Sequence, residues 1–445
     1  MTTFLCARAC VMRECALRRS LSHAASAMKP GARVRVLPSR RCLFDEPVRI
    51  KVDGLAPRQR VQLRARLVDD RGVGFTSAAA YEADGGGALD LGTARSLGGS
   101  YVGVEPMGLF WSMKADTPHT KLWKKDAQHP CAVDIEVFPA AGGERALATE
   151  TIERAFMVEG ARRRSVKVGR IRGTLFVPPG RGPFPGILDL YTLGGGLTEF
   201  RGSLLANKGF VVLCLAFYRY DDLPKAVEEL DLEYFEEALT FLRSQPEVKG
   251  PGLGVVSISK SGDLALSIAS FLPGIAATMC VNGCNANTVL PLRCKDVVIP
   301  PLKADPSKVF VTESGILTIR DAVSDPMAEG NEASLIPVER ATCRFLLAVS
   351  EDDRNWNSYL YADQIVKQLK DHGKETCEVV KYPKAGHFLE VPYMPYYPSG
   401  LHAAVGQVVA FGGDPKVHAE AHVDLWRRME AFFKKNLNHY EKSLL

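Results

Sequence analysis

The stretch VVSISKSGD, Val255 to Asp263, sets three serines at alternate positions where an apolar run gives way to a glycine. A serine hydroxyl is a weak nucleophile until a neighbouring base takes its proton, so such a stretch matters only if the chain also supplies a base, an acid and an oxyanion site. Before it lies strand-like GLGVVSI and after it helix-like GDLALSIASFL, with only a few residues between. A strand turning that sharply into a helix is the arrangement usually written G-x-S-x-G, in which the residues two before and two after the nucleophile must be small because two backbones pass close by. Ser257 would put Val255 in the first of these positions, and Ser261 would put Asp263 in the second. Ser259 alone has small residues on both sides, Ser257 and Ser261, although neither is glycine. The same pattern also describes a plain helix-capping serine.

The partners come later in the chain. FLLAVSEDDRNW follows by about ninety residues, an apolar strand ending in Asp352 and Asp353, and VVKYPKAGHFLE brings His387 after a further strand and turn. The order Ser, Asp, His is that of the α/β-hydrolases. Acid and base both sit just past strand ends, where open α/β sheets bind their ligands. Asp353 lies further out on its loop than Asp352 and is the preferred acid; the competing reading makes it a helix cap. LDLYTLGGGLTEF places three glycines between a buried strand and a helix, which suits backbone N–H groups aimed at an oxyanion. One donor is expected from Gly194 in the loop over 193–196 and the other from the backbone of Lys260. G-x-G-x-x-G is absent, which disfavours a dinucleotide loop. His418 and His422 share a helical face but lack an acidic partner arrangement, so no metal is expected, and the chemistry requires no cofactor.

The elements that must position these residues divide the chain. Over residues 31–160, VRIKV, VQLRARL, AVDIEVF and ATETIERAFMV alternate apolar and polar with period two, between turns such as DGLAP and ADGGG. Short alternating strands of this kind predict a small N-terminal β-sandwich. ARRRS, from Ala161 to Ser165, reads as a solvated linker, with a phosphate-binding patch as the sharper alternative. Over 161–445 the period changes: FPGILDLY, GFVVLCLAF, GLGVVSIS, ATMCVNG and CRFLLAVS are nearly continuous apolar runs suited to strands buried on both faces. Helical text alternates with them, including KAVEELDLEYFEEALTFLRSQ, SYLYADQIVKQLKDHG and HVDLWRRMEAFFKKNL. The second region is therefore predicted to be α/β with a mostly parallel sheet.

Bulk properties exclude several classes. The 445 residues carry a formal charge of +5, with 46% hydrophobic and 24% charged residues. That balance does not suggest a nucleic-acid binder and fits an anionic small molecule. No apolar run reaches the length of a membrane span. Eleven cysteines are scattered without a C-x-x-C pair, which favours a reducing compartment. Residues 1–30 set Arg8, Arg13, Arg18 and Arg19 against one acid, Glu14, with serines following. This is the composition of a mitochondrial transit segment, so a matrix location is expected; a start at Met28 would leave the protein in the cytosol. The terminal SLL only faintly resembles a peroxisomal address.

Taken together, RCLFDEPVRIKVDGLAP, GGSYVGVEPMGLFWSM, GPFPGILDLY, GGGLTEFRGSLLANKGFVVLCLA, SISKSGDLALSIASFLP, DDRNWNS and AGHFLEVPY resemble the type I acyl-CoA thioesterases, a family related to bile acid-CoA:amino acid N-acyltransferase. The resemblance runs from about Pro38 to the last helix. It implies a β-sandwich followed by an α/β-hydrolase domain, with the family's triad on Ser259, Asp353 and His387. It also implies fatty acyl-CoA as substrate, with free acid and coenzyme A as products. The conjugating branch carries cysteine as nucleophile, whereas this chain has serine, which points to hydrolysis. Transfer to glycine or taurine, a serine ester hydrolase or peptidase on the same fold, and a non-catalytic acyl-CoA carrier remain as alternatives. Lys260, Arg162 to Arg164 and Lys384 are candidates for the coenzyme A phosphates. Ser257 and Ser261 are expected near the mouth of the site, and the oligomeric state is left open.

Overall fold

The computed structural model describes residues 31–143, 145–191, 194–250 and 252–438. The arginine-rich segment expected to act as a leader, and the terminal SLL, lie outside the described residues. An eight-stranded sheet forms the larger half of the chain. Its strands are β1 (Arg162–Val168), β2 (Ile171–Val177), β3 (Gly186–Leu190), β4 (Val211–Ala216), β5 (Leu253–Ile258), β6 (Ile275–Val281), β7 (Arg344–Ser350) and β8 (Cys377–Tyr382). They lie in the order β1-β2-β4-β3-β5-β6-β7-β8. β2 runs against both its neighbours and all other pairings from β4 to β8 are parallel. The four central strands, β3 to β6, are buried along their whole length, as their continuous apolar text demands.

Five helices cover the sheet: α1 (Phe200–Ala206), α2 (Leu232–Arg243), α3 (Lys260–Phe271), α4 (Ser358–Asp371) and α5 (Pro415–Asn438). Alternation along β5 sorts its side chains between two cores. Val256 and Ile258 join α1 and α5 on one face, whereas Leu253 and Val255 join α2, α3 and α4 on the other. The α1/α5 core continues without a break into the N-terminal region, where Ile50, Leu63, Tyr81 and Ile135 belong to the same cluster.

That N-terminal region has two sheets. One pairs Arg33–Leu37, Arg49–Asp53 and Leu89–Asp90; the other is built on Arg60–Val68, Gly74–Glu82, Cys131–Pro139 and Ala148–Ala155. Arg41–Leu43 joins the second in parallel with Ala148–Ala155, a departure from an all-antiparallel sandwich. No helix among the described residues is long and apolar enough to cross a membrane.

Two expectations need correction. ARRRS is not a linker: Arg162–Val168 is β1, the edge strand of the large sheet, paired residue by residue with β2. The helical text beginning at Lys225 yields a helix only from Leu232, because the Asp231 carboxylate accepts the N–H of Glu233 at 3.0 Å and starts the helix there. The chain between β6 and β7 forms short ribbons. Leu292–Cys294 pairs with Val297–Ile299, and Phe310–Val311 with Leu317–Thr318.

Candidate active site

Ser259 sits between β5 and α3 with φ 60° and ψ −134°, a conformation that side-chain-bearing residues avoid and that here lifts the hydroxyl out of the turn. The turn is held by the Ser259 N–H to the Val281 carbonyl (2.9 Å) and the Gly262 N–H to the Ser259 carbonyl (2.7 Å). His387, in the loop after β8, places Nε2 2.8 Å from Ser259 Oγ and Nδ1 2.8 Å from Asp353 Oδ2. Asp353 follows β7 and is held from every side. Its Oδ2 also accepts the Ser358 hydroxyl (2.5 Å), and its Oδ1 accepts the N–H groups of Asn355 and Trp356 at 2.8 and 3.0 Å. A carboxylate so anchored takes the imidazole Nδ1–H and leaves Nε2 to accept the serine proton. All three side chains are buried, His387 completely. The structure thus brings Ser259, Asp353 and His387 into one hydrogen-bonded chain. Asp352 stays outside it, paired with Arg354 and with the N–H of Gly413.

Other residues singled out in the sequence behave differently. Ser257 and Ser261 are not at a mouth. Both are buried, Ser257 donating to the Met279 carbonyl (2.9 Å) and Ser261 bonding the carbonyls of Leu190 and Ile258. In the elbow itself, the close backbone approach falls at Gly262, where an added Cβ would stand 2.7 Å from the Cα of Gly283. The Lys260 side chain turns inward to Asp263 and Asn287, out of reach of a phosphate, while its backbone N–H opens α3, where helix donors have no internal acceptor. Arg163 is bonded to Glu199, and Arg162 and Arg164 to Glu247. Lys384 is exposed in the turn before His387. Gly194 borders a cavity of about 260 Å³ with Tyr191, Gly195, Phe388, Tyr397 and Lys121. The N–H of Gly196 is already given to the Tyr218 carbonyl.

The backbone around His387 is held by residues that the sequence did not reveal. Its N–H donates to the Phe411 carbonyl (2.8 Å) and its carbonyl accepts Asn282 Nδ2 (2.6 Å). His418, from α5, brackets it: Nδ1 accepts the Gly386 N–H (2.9 Å) and Nε2 donates to the Phe388 carbonyl (3.0 Å). His422 Nε2 donates to the same carbonyl at 3.2 Å. The two histidines thus share a face, as their spacing predicts, and use it to grip a loop. Burial drives the pKa of His418 far below that of a free imidazole and brings His422 to about 4, so both are neutral. The one sequence hint for Asn282 was its place in VNG directly after a buried strand; its φ is 46°.

The strand order, the single antiparallel strand β2 and the serine-bearing elbow define an α/β-hydrolase. Residues 45–168 match the family described as the acyl-CoA thioester hydrolase/BAAT N-terminal region, and residues 230–439 match the BAAT/acyl-CoA thioester hydrolase C terminal. The chain is 48% identical over 409 residues to acyl-coenzyme A thioesterase 2, mitochondrial, of Homo sapiens, covering 92% of this chain and 85% of that protein. It is equally similar to acyl-coenzyme A thioesterase 1 of Homo sapiens, covering 92% and 97%. The chain belongs to the acyl-CoA thioester hydrolase/BAAT family. Among solved structures, the Pyrococcus horikoshii acylaminoacyl peptidase aligns over 89% of this chain and 60% of its own at 14% identity, with a TM-score of 0.42.

Proposed function

We propose that the protein hydrolyses fatty acyl-CoA thioesters to free fatty acid and coenzyme A, with Ser259 as nucleophile, His387 as general base and acid, and Asp353 as the group that orients the imidazole. The observation that carries this reading is the unbroken chain from Ser259 Oγ through both nitrogens of His387 to Asp353, in a member of a family of acyl-CoA thioester hydrolases. His387 Nε2 takes the hydroxyl proton as Oγ attacks the thioester carbonyl. The oxyanion is met by the backbone N–H of Lys260 and, on this proposal, that of Gly194. The C–S bond breaks and the proton on Nε2 passes to the leaving thiolate. A thiol of pKa near ~8.5 is a good leaving group. Water then gives its proton to Nε2 and attacks the oxygen ester, releasing the acid and restoring the serine.

A division into a sandwich over 31–160 and a catalytic unit over 161–445 fits this reading. A mitochondrial site of action is supported by the arginine-rich, acid-poor composition of residues 1–30 and by a relative named mitochondrial. The test is thiol release from palmitoyl-CoA by wild type and Ser259→Ala, with products resolved by mass in the presence and absence of glycine and taurine. Wild type should yield free palmitate, and the variant should lose at least ~10³-fold in kcat. Conjugates as the main product, or a variant as active as wild type, would overturn the assignment.

A further inference from the structure

Four side chains from three distant stretches of the chain meet at the wall of the cavity beside the glycine loop. Lys121 comes from the N-terminal sandwich, in the segment between strands Lys114–Ala115 and Cys131–Pro139. Tyr191 directly follows β3 and leads into the loop that carries Gly194, and Glu390 lies three residues beyond His387. The Lys121 ammonium donates to Glu390 Oε1 at 3.0 Å and to the Tyr191 hydroxyl. The same carboxylate oxygen accepts the hydroxyls of Tyr191 and, at 2.9 Å, of Tyr397. The ammonium also stands 4.3 Å from the Tyr191 ring centre and 5.5 Å from that of Phe388, the residue next to His387. The Glu390 side chain is 1% exposed and that of Lys121 21%. Burial works against this carboxylate, but Lys121 and the tyrosine hydroxyls outweigh it and leave its pKa lowered, whereas burial pulls the Lys121 pKa down against the opposing pull of Glu390.

A buried ion pair is a weak device for stability, since apolar residues of similar volume serve as well; its value lies in fixing where things stand. What this one fixes is specific. It joins the root of the glycine loop to the loop that carries the base, and the joining charge belongs to neither. We propose that Lys121 is a positioning residue through which the N-terminal sandwich sets the spacing between the candidate oxyanion loop and His387. The proposal rests on the hydrolase reading above. Without the ammonium, Glu390 keeps the hydroxyls of Tyr191 and Tyr397, but the two loops lose their common anchor to the sandwich.

The test compares wild type with Lys121→Met and with the doubly neutral Lys121→Met/Glu390→Gln, which removes both charges in case the single variant fails to fold. Two rates are read: palmitoyl-CoA turnover, and labelling of Ser259 by a fluorophosphonate, which needs the nucleophile, base and oxyanion site but no acyl-CoA. Folding is checked by circular dichroism and thermal melting. A displacement of about 1 Å at reacting atoms costs on the order of 10²-fold in rate. Folded variants should therefore lose ~10- to 100-fold in kcat and in labelling rate, with KM within about threefold. Lys121→Ala should recover part of its kcat with propylammonium and none with sodium chloride at equal ionic strength. Folded variants with kcat and labelling within twofold of wild type, or a loss confined to KM, would overturn the proposal. A wild type that is labelled but silent on acyl-CoA would sink the thioesterase reading alone, and the labelling rates would then decide for or against Lys121.

Discussion

At the residue scale, the candidate reacting groups were legible because each follows a strand end: Ser259 and Asp353 come after buried apolar runs, and His387 comes after the half-exposed strand β8 and its turn. Ser259 was chosen over its two neighbours on side-chain size, Asp353 over Asp352 on its position in a loop. The residues that hold them were not legible. His418 meets Gly386 across 32 positions, and nothing in the helical period of α5 announces a loop on the other side. These buried histidines make a prediction about acid. The folded state keeps His422 neutral down to about 4, whereas an unfolded chain protonates it near ~6.5. Between those values the unfolded state binds more protons, so stability falls as pH drops through the window and levels off below it. Each such histidine contributes a slope of up to ~1.4 kcal/mol per pH unit. Urea unfolding of wild type and His422→Gln at several pH values from 7 to 4 should give the variant a shallower slope by about this amount. An unchanged slope would show that His422 is already charged in the fold.

At the element scale, continuous apolar text gave β3 to β6 correctly, and β1 was missed for a physical reason. It is an edge strand, with one neighbour and mostly solvent-facing side chains; of its seven residues only Val166 is buried. Its three arginines are the kind of charge that keeps an edge from pairing further, and they read as a linker because no apolar alternation was left to see. The elbow is the converse case. The sequence argument located the need for small residues, but Ser257 and Ser261 fit because their hydroxyls find backbone partners, whereas the steric limit lies one residue on. An alanine Cβ at Gly262 would stand 2.6 Å from Cys280 Sγ as well as against Gly283. Gly262→Ala should cost ~1–3 kcal/mol by overpacking and lower turnover by tilting α3 beneath Ser259. Gly194→Ala, where a Cβ meets nothing within 4 Å, should melt like wild type. Equal melting of the two variants would contradict this account of the turn.

At the scale of the whole molecule, the question is whether the sandwich is a separate body. Its core is not separate. Phe44 stacks on Phe156 at 5.1 Å, within the same cluster as Phe200, Trp426 and Phe433 from α1 and α5. Polar links reinforce that face: the Asp45 carboxylate accepts the Trp426 indole N–H at 2.8 Å and the Lys208 ammonium at 2.7 Å. The sequence predicted two architectures from two periodicities, but periodicity reports which side of a strand is buried, not against what. A sandwich whose buried side chains are shared with α5 has no independent surface to present to water. Denaturation should therefore be a single transition, with circular dichroism and the fluorescence of Trp111 and Trp123 in the sandwich and Trp356 and Trp426 beyond it changing together. Asp45→Ala should lower the midpoint of both probes by the same amount, since it leaves a buried indole N–H and an ammonium without their acceptor, a loss of ~2–4 kcal/mol. Two transitions at different denaturant concentrations would mean that the units fold independently, and would also remove the rigid link through which Lys121 acts on the site.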